Sequence, residues 1–122
     1  MSFSARVRHA GQVSLVDLSG HLTSFETEGL RDSIAGLLAQ GRKQIVLNTS
    51  GLTYLDSSGV GELVRNYMTV IKQGGDMKVV GLTSKVEEIL KITKLHQVLQ
   101  EFDDEESAVR SFPETSVSKK SA

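Results

Sequence analysis

The chain has 122 residues, 39% of them hydrophobic and 24% charged, and its formal net charge is −1. This near-globular balance, without a polybasic block, excludes wholesale disorder and sequence-independent binding to nucleic acid or an anionic membrane. The absence of cysteine removes disulfides, thiol catalysis and thiolate metal sites together.

In chain order, FSARVRHAGQVSLVDLSG alternates as a hairpin does. Phe3, Ala5 and Val7 share one side, Gly11 turns the chain, and Val13, Leu15, Val16 and Leu18 form a denser, more buried second strand. SFETEGLRDSIAGLLAQG then changes period. Phe25, Leu30, Ile34, Leu37 and Leu38 fall near helical spacing, with Ser24 as the expected cap and Gly41 as the stop. Gln44–Asn48, QIVLN, is a short apolar run expected to be a central strand buried on both faces. Val60, Leu63, Val64, Tyr67, Met68 and Ile71 make the clearest helical stripe, ended by a left-handed glycine at Gly74 or Gly75. MKVVGL is a further strand. TSKVEEILKIT is a helix capped by Thr83 or Ser84, with Val86, Ile89 and Leu90 inward. VLQEF is a short edge strand, and Glu105–Phe112 a last helix.

This β-β-α-β-α-β-α-β-α order predicts an α/β fold. Its sheet of four to five strands is mostly parallel with an antiparallel N-terminal edge, and helices pack against it. One domain over residues 1–112 accounts for the elements, and the polar stretch 113–122, PETSVSKKSA, is expected to be a disordered tail. The arginines of MSFSARVRHAG have no apolar run behind them, and no window approaches the ~20 apolar residues of a membrane span. A soluble, cytoplasmic protein is the expectation.

The stretch LDSSGVG, Leu55–Gly61, crowds an acid, two hydroxyls and two glycines where a strand gives way to a helix. Ligands and modifications of open α/β sheets gather at such junctions. Four chemistries are open there. Helix capping by Asp56, Ser57 or Ser58 is worth about 1 kcal/mol, but it leaves the second serine and the second glycine without a task. A serine nucleophile would need the G-x-S-x-G elbow. Leu55 and Asp56 stand where its first glycine belongs, and His9, His21 and His96 carry no hint of serving as its base. A phosphate cradle would need more than Gly59-Val60-Gly61, since the third glycine of a dinucleotide fingerprint and the Walker lysine are both missing. A covalent phosphate switch uses every residue. Phosphate added at a helix N-terminus brings roughly −1.5 to −2 charge beside Asp56, while the glycines keep the surface low for a partner.

The segment IVLNTSGLTYLDSSGVGELVRNYMTVIKQGGDMKVVGLTSKVEEILKITKL, residues 45–95, resembles the anti-sigma-factor antagonists of bacterial partner-switching systems, in the STAS domain superfamily. The likeness rests on the apolar strand, Asp56-Ser57-Ser58-Gly59-Val60-Gly61, the amphipathic helix, and Gly74-Gly75 before a strand. In element order it extends over residues 3 to 112. It implies a binding module without enzymatic activity, cofactor or metal. When dephosphorylated, such a protein binds an anti-sigma factor and frees a sigma factor, thereby regulating transcription. The anti-sigma factor is usually a serine kinase with a histidine-kinase-like ATPase fold, opposed by a PP2C-type phosphatase. The resemblance puts the phosphate on Ser57, directly after the motif's aspartate, with Ser58 as second choice. It implies a docking face of Asp56, Ser57, Ser58, Gly59, Val60, Gly61, Glu62 and Arg65, with Leu63, Asn66 and the loop holding Thr23 beside them.

Two positions depart from the family pattern. Gly20-His21-Leu22-Thr23 stands where members commonly carry Gly-Glu-Leu/Ile-Asp, so Thr23 replaces an acid linked to the kinase contact. Asn48 replaces a second acid expected near a strand end. The alternative client for this fold is a membrane transporter, with the chain as a detached cytoplasmic regulatory subunit.

Overall fold

The computed structural model describes residues 3–24 and 26–113. Strands β1 (Phe3–Ala10) and β2 (Val13–Leu22) form the hairpin, turning at Gly11 with φ +63°, a conformation that disfavours side chains. Then follow α1 (Thr27–Ala39), β3 (Gln44–Leu55), α2 (Ser57–Lys72), β4 (Asp76–Val80) and α3 (Ser84–Ile92). A 3-10 turn (Leu95–Gln97), β5 (Glu101–Phe102) and α4 (Glu105–Arg110) complete the order. The sheet runs β1-β2-β3-β4-β5; β1 pairs antiparallel with β2 and every other pair is parallel. This is the expected α/β architecture.

Alternate strand residues divide the core. Ile45, Leu47, Met77 and Val79 pack with Leu30 and Ile34 of α1, Leu63 and Val70 of α2, and Val86 and Leu90 of α3. Val46, Val80, Val13 and Leu15 face the other way, against Ala108 of α4 and Phe112. Three helices therefore share one face of the sheet and α4 covers part of the other. Arg8 fastens α4 to the hairpin, with Nη2 2.7 Å from Asp17 Oδ1 and 2.6 Å from Glu105 Oε2.

Several expectations need correction. The central strand does not stop at Asn48 but continues to Leu55, so TSGLTY is strand and not turn. Asn48 is accordingly mid-strand; its amide donates to Glu105 Oε2 at 2.6 Å on the α4 side of the sheet, away from α2. Helix α1 begins at Thr27 after Glu26, without a side-chain cap, so Ser24 caps nothing; Phe25 lies outside the described residues. Gly41 does end α1, at φ +80°, with Gly41 and Arg42 N–H groups donating to Leu38 and Leu37. Helix α2 buries Gly59, Glu62, Leu63, Asn66 and Val70, whereas Met68 and Ile71 of the expected stripe are exposed. Gly74, at φ +85°, supplies its left-handed end. Thr83 caps α3, and α4 stops at Arg110. Residues 114–122 of the expected tail lie outside the described residues.

Candidate functional site

Strand β4 stays paired with β3 only as far as Asn48 opposite Val80, while β2 and β3 remain paired to Leu22 opposite Leu55. The last part of β3 is thus a two-stranded ribbon that carries the serine turn beyond the body of the sheet. Two register shifts bend it, between Asp17 and Ser19 and between Gly20 and His21. The Asp56 N–H donates to Leu22 O at 3.4 Å, which leads the chain from the ribbon into α2.

Asp56 is the N-cap of α2. Its backbone is extended, and its Oδ1 accepts the Gly59 N–H at 2.9 Å, satisfying a donor that the first helical turn leaves free. Replacing Asp56 with alanine is expected to cost about 1 kcal/mol, read as a lower urea midpoint at unchanged slope. An unchanged midpoint would mean that this cap contributes nothing in solution.

The two glycines of the motif have different tasks. A Cβ on Gly59 would lie 2.2 Å from Leu22 O and 2.7 Å from Leu55 Cδ1, so α2 can sit this close to the ribbon only over glycine. A Cβ on Gly61 would meet only Arg65 Nη2, at 3.9 Å. Ser57 and Ser58 need neither serve as cap nor pack, and both are exposed.

Both serines line a depression of about 280 Å³, whose wall also includes Thr27 and Arg31 from α1 and Glu62 and Arg65 from α2. Glu62 is 2% exposed. Its carboxylate accepts from Arg31 Nε at 3.1 Å, Arg31 Nη2 at 3.2 Å and Asn66 Nδ2 at 2.9 Å, with Arg65 Nε 3.7 Å away. Burial pushes the Glu62 carboxyl up, but hydrogen bonds from Arg31 and Asn66 and the charges of Arg31 and Arg65 outweigh it, holding it below its ordinary value. Hydrogen bonding to Glu62 raises Arg31 in turn.

Of the residues expected on the docking face, Ser57, Ser58, Gly61, Glu62 and Arg65 meet in this depression. Asp56 is spent on the cap and Gly59 on packing. Val60 is half-buried against the core, and Leu63 and Asn66 are buried, so none of these three offers a free side chain. Thr23 sits half-buried in the neighbouring loop, its carbonyl accepting the Glu26 N–H at 2.9 Å; Ser24, not Thr23, lines the depression. None of the three histidines does. Arg31 and Thr27 were not legible as site residues. The one available signal was a glutamate at an inward position of α2, which demands a cationic partner from another element.

The depression brings together two exposed serines at the start of α2 and two arginines, one from each helix. That grouping suits an anionic group, and among the described residues no histidine lines the depression. Among the described residues, no helix is long and apolar enough to cross a membrane.

Comparison with known proteins agrees with this architecture. The chain is 26% identical over 110 residues to the anti-sigma F factor antagonist of Paenibacillus polymyxa, covering 89% of this chain and 94% of that protein. The crystal structure of an anti-sigma factor antagonist from Mycobacterium paratuberculosis shares the fold at a TM-score of 0.80 and 22% identity, covering 90% of this chain and 93% of that one. The Bacillus cell fate determinant SpoIIAA, solved in its phosphorylated form, superposes at a TM-score of 0.69 with 20% identity, over 89% of this chain and 100% of that one. The STAS domain model matches residues 4–108, from the first strand to the last helix, and the chain belongs to the STAS domain family.

Proposed function

We propose that this protein is an anti-sigma factor antagonist, a binding protein and not an enzyme, acting by partner switching in the cytoplasm. Its partner is an anti-sigma factor of the ATPase-fold serine kinase class, and the docking face is the serine turn with the depression beside it. Phosphorylation of Ser57, with Ser58 as the second hydroxyl, closes that face, and a PP2C-type phosphatase reopens it. The observation that carries this reading is the pair of exposed hydroxyls on a turn fixed by the Asp56 cap and the Gly59 contact. Charge added there changes the surface without requiring the core to move. The names of the similar proteins, and the phosphorylated form of one of them, support the choice of partner class.

The test is incubation with the ATPase-fold serine kinase encoded beside this protein's gene, with ATP, followed by mass spectrometry and a binding assay. Label is expected on Ser57 or Ser58. Ser57→Asp is expected to weaken the unphosphorylated complex roughly 30- to 100-fold, the effect of an unpaired charge in an interface worth about 2–3 kcal/mol. Absence of label at both serines together with absence of a complex would overturn the reading. So would capture of a membrane transporter component in place of the kinase.

A further inference from the structure

The depression holds more charge than a docking surface requires. Glu62 is buried and ionised, and its two cationic neighbours come from different helices, Arg31 from α1 and Arg65 from α2. Both arginines are more than half exposed, at 51% and 61% of the side chain. Each guanidinium has five donors. Arg31 spends two on Glu62 and a weak third on Thr27 Oγ1 at 3.5 Å. Arg65, with Nε 3.7 Å from Glu62 Oε1, is beyond hydrogen-bond range and is held by charge alone.

Gly61 explains the position of Arg65. Helical side chains lean toward the N-terminus, and here the guanidinium lies back over the bare Gly61, with Nη2 3.9 Å from where a Cβ would be. Ser58, Glu62 and Arg65 are spaced i, i+4, i+7 along α2 and so share one helix face, which Ser57 borders in the same depression.

We propose that Arg31 and Arg65 are the receivers of a phosphoryl group carried by the Ser57–Ser58 pair, drawn from Glu62 onto the phosphate when the turn is modified. The inference rests on the reading of this turn as a phosphorylation site. In the transfer, the serine Oγ–P bond forms as the bond from the γ-phosphorus of ATP to its bridging oxygen breaks. ADP departs, and the hydroxyl proton passes to a base of the kinase. The receivers act on the resulting dianion. A phosphoserine dianion carries more charge than the Glu62 carboxylate and accepts bidentately from a planar fork, so it competes for both guanidinium groups and engages first the donors that Glu62 leaves free. Because Arg31 belongs to α1, the exchange also ties the position of α1 to the modification state of α2.

The charges around the turn make the test discriminating. Asp56 caps α2 beside the turn, the buried Glu62 lies in the same depression, and Glu28 and Asp32 on α1 act on the charge of Arg31. Without receivers these carboxylates would push the second ionisation of a phosphoserine above its ordinary value of about 6; with receivers it falls below. Phosphoserine is installed during synthesis at position 57 or 58 of the full chain, without kinase or partner, and titrated by phosphorus NMR. An Arg31→Gln/Arg65→Gln variant is expected to titrate about one unit higher than the parent at one of the two positions. In the parent, the Nε–H signals of Arg31 and Arg65 are expected to move on phosphorylation, a readout that needs no variant to fold. Identical titrations at both positions, or unmoved arginine signals, would overturn the proposal. Since neither kinase nor anti-sigma factor is present, such a result would leave the partner-switching reading standing on its own experiment.

Discussion

Replacing Gly59 by alanine is expected to destabilise the domain by about 2–3 kcal/mol, the upper part of the range for forcing one extra methyl into a packed contact. For a chain of this size the melting temperature should fall by about 8–12 °C. The atom that the new Cβ meets first is Leu22 O, a backbone carbonyl in the β2–β3 ribbon, and the second is the core methyl Leu55 Cδ1. The carbonyl is backbone and the methyl is confined in the core, so the strain is relieved by moving α2 off the ribbon. That would also pull the Gly59 N–H from the Asp56 cap. Gly61→Ala is the internal control, because its Cβ has open space apart from Arg65 and should leave the melt within about 0.5 kcal/mol of the parent. Thermal melts of the two variants side by side decide the matter; equal losses would show that the two glycines are interchangeable and the close contact unimportant.

Glu62→Gln is expected to cost about 1–2 kcal/mol at neutral pH, and this cost should vanish in acid. The residue is buried, but both arginines are largely exposed, so the worth of the pair is reduced by solvent from that of a fully enclosed ion pair. The folded-state pKa of Glu62 lies below the ordinary 4.5, so its contribution is complete above that value and is lost as pH falls through the folded one. Glu105 is depressed in the same way by Arg8, hence the parent loses stability in acid through both groups. Urea denaturation of parent and variant across pH 2.5 to 7 should give curves separated at the neutral end and converging in acid. A separation independent of pH would indicate that shape, not charge, is what Glu62 supplies.

How legible these features are in the sequence depended on whether the cause was local. Gly11, Gly41 and Gly74 mark the ends of elements because each adopts a positive φ, a property of the residue itself. The hairpin, the alternation of strand and helix, and the place of the serine turn followed from such signals. The second half of β3 did not, because Gly51 and the polar residues around it look like a turn. They make a strand because the ribbon bulges there, where a Cβ on Gly51 would lie 2.9 Å from Leu18 O. The α2 stripe was misjudged for a related reason. Two of its inward positions are occupied by a glycine that admits the ribbon and a glutamate that meets Arg31, thirty-one residues earlier in the chain. Lys78 is a parallel case in β4. It is buried because its ammonium reaches Ser111 Oγ at 2.7 Å and lies 4.4 Å from the Phe112 ring centroid. No window around either residue contains its partner. For Ser57 and Ser58, family resemblance named the turn, and the fold places Arg31 and Arg65 in the depression beside them.

The strand order of the sheet is the same as the order of the strands in the chain. Each new strand therefore finds its neighbour already in place, one crossover away, and no pairing must wait for a remote segment. Loop-closure costs stay small at every step, a condition associated with rapid folding. During synthesis the hairpin can serve as the template, each βα unit can dock as it emerges, and α4 arrives last to cover part of the second face. Apart from the outer edge of β1, a nascent chain growing in this way leaves open only its most recent strand edge, which limits the interval in which that edge can pair with another molecule.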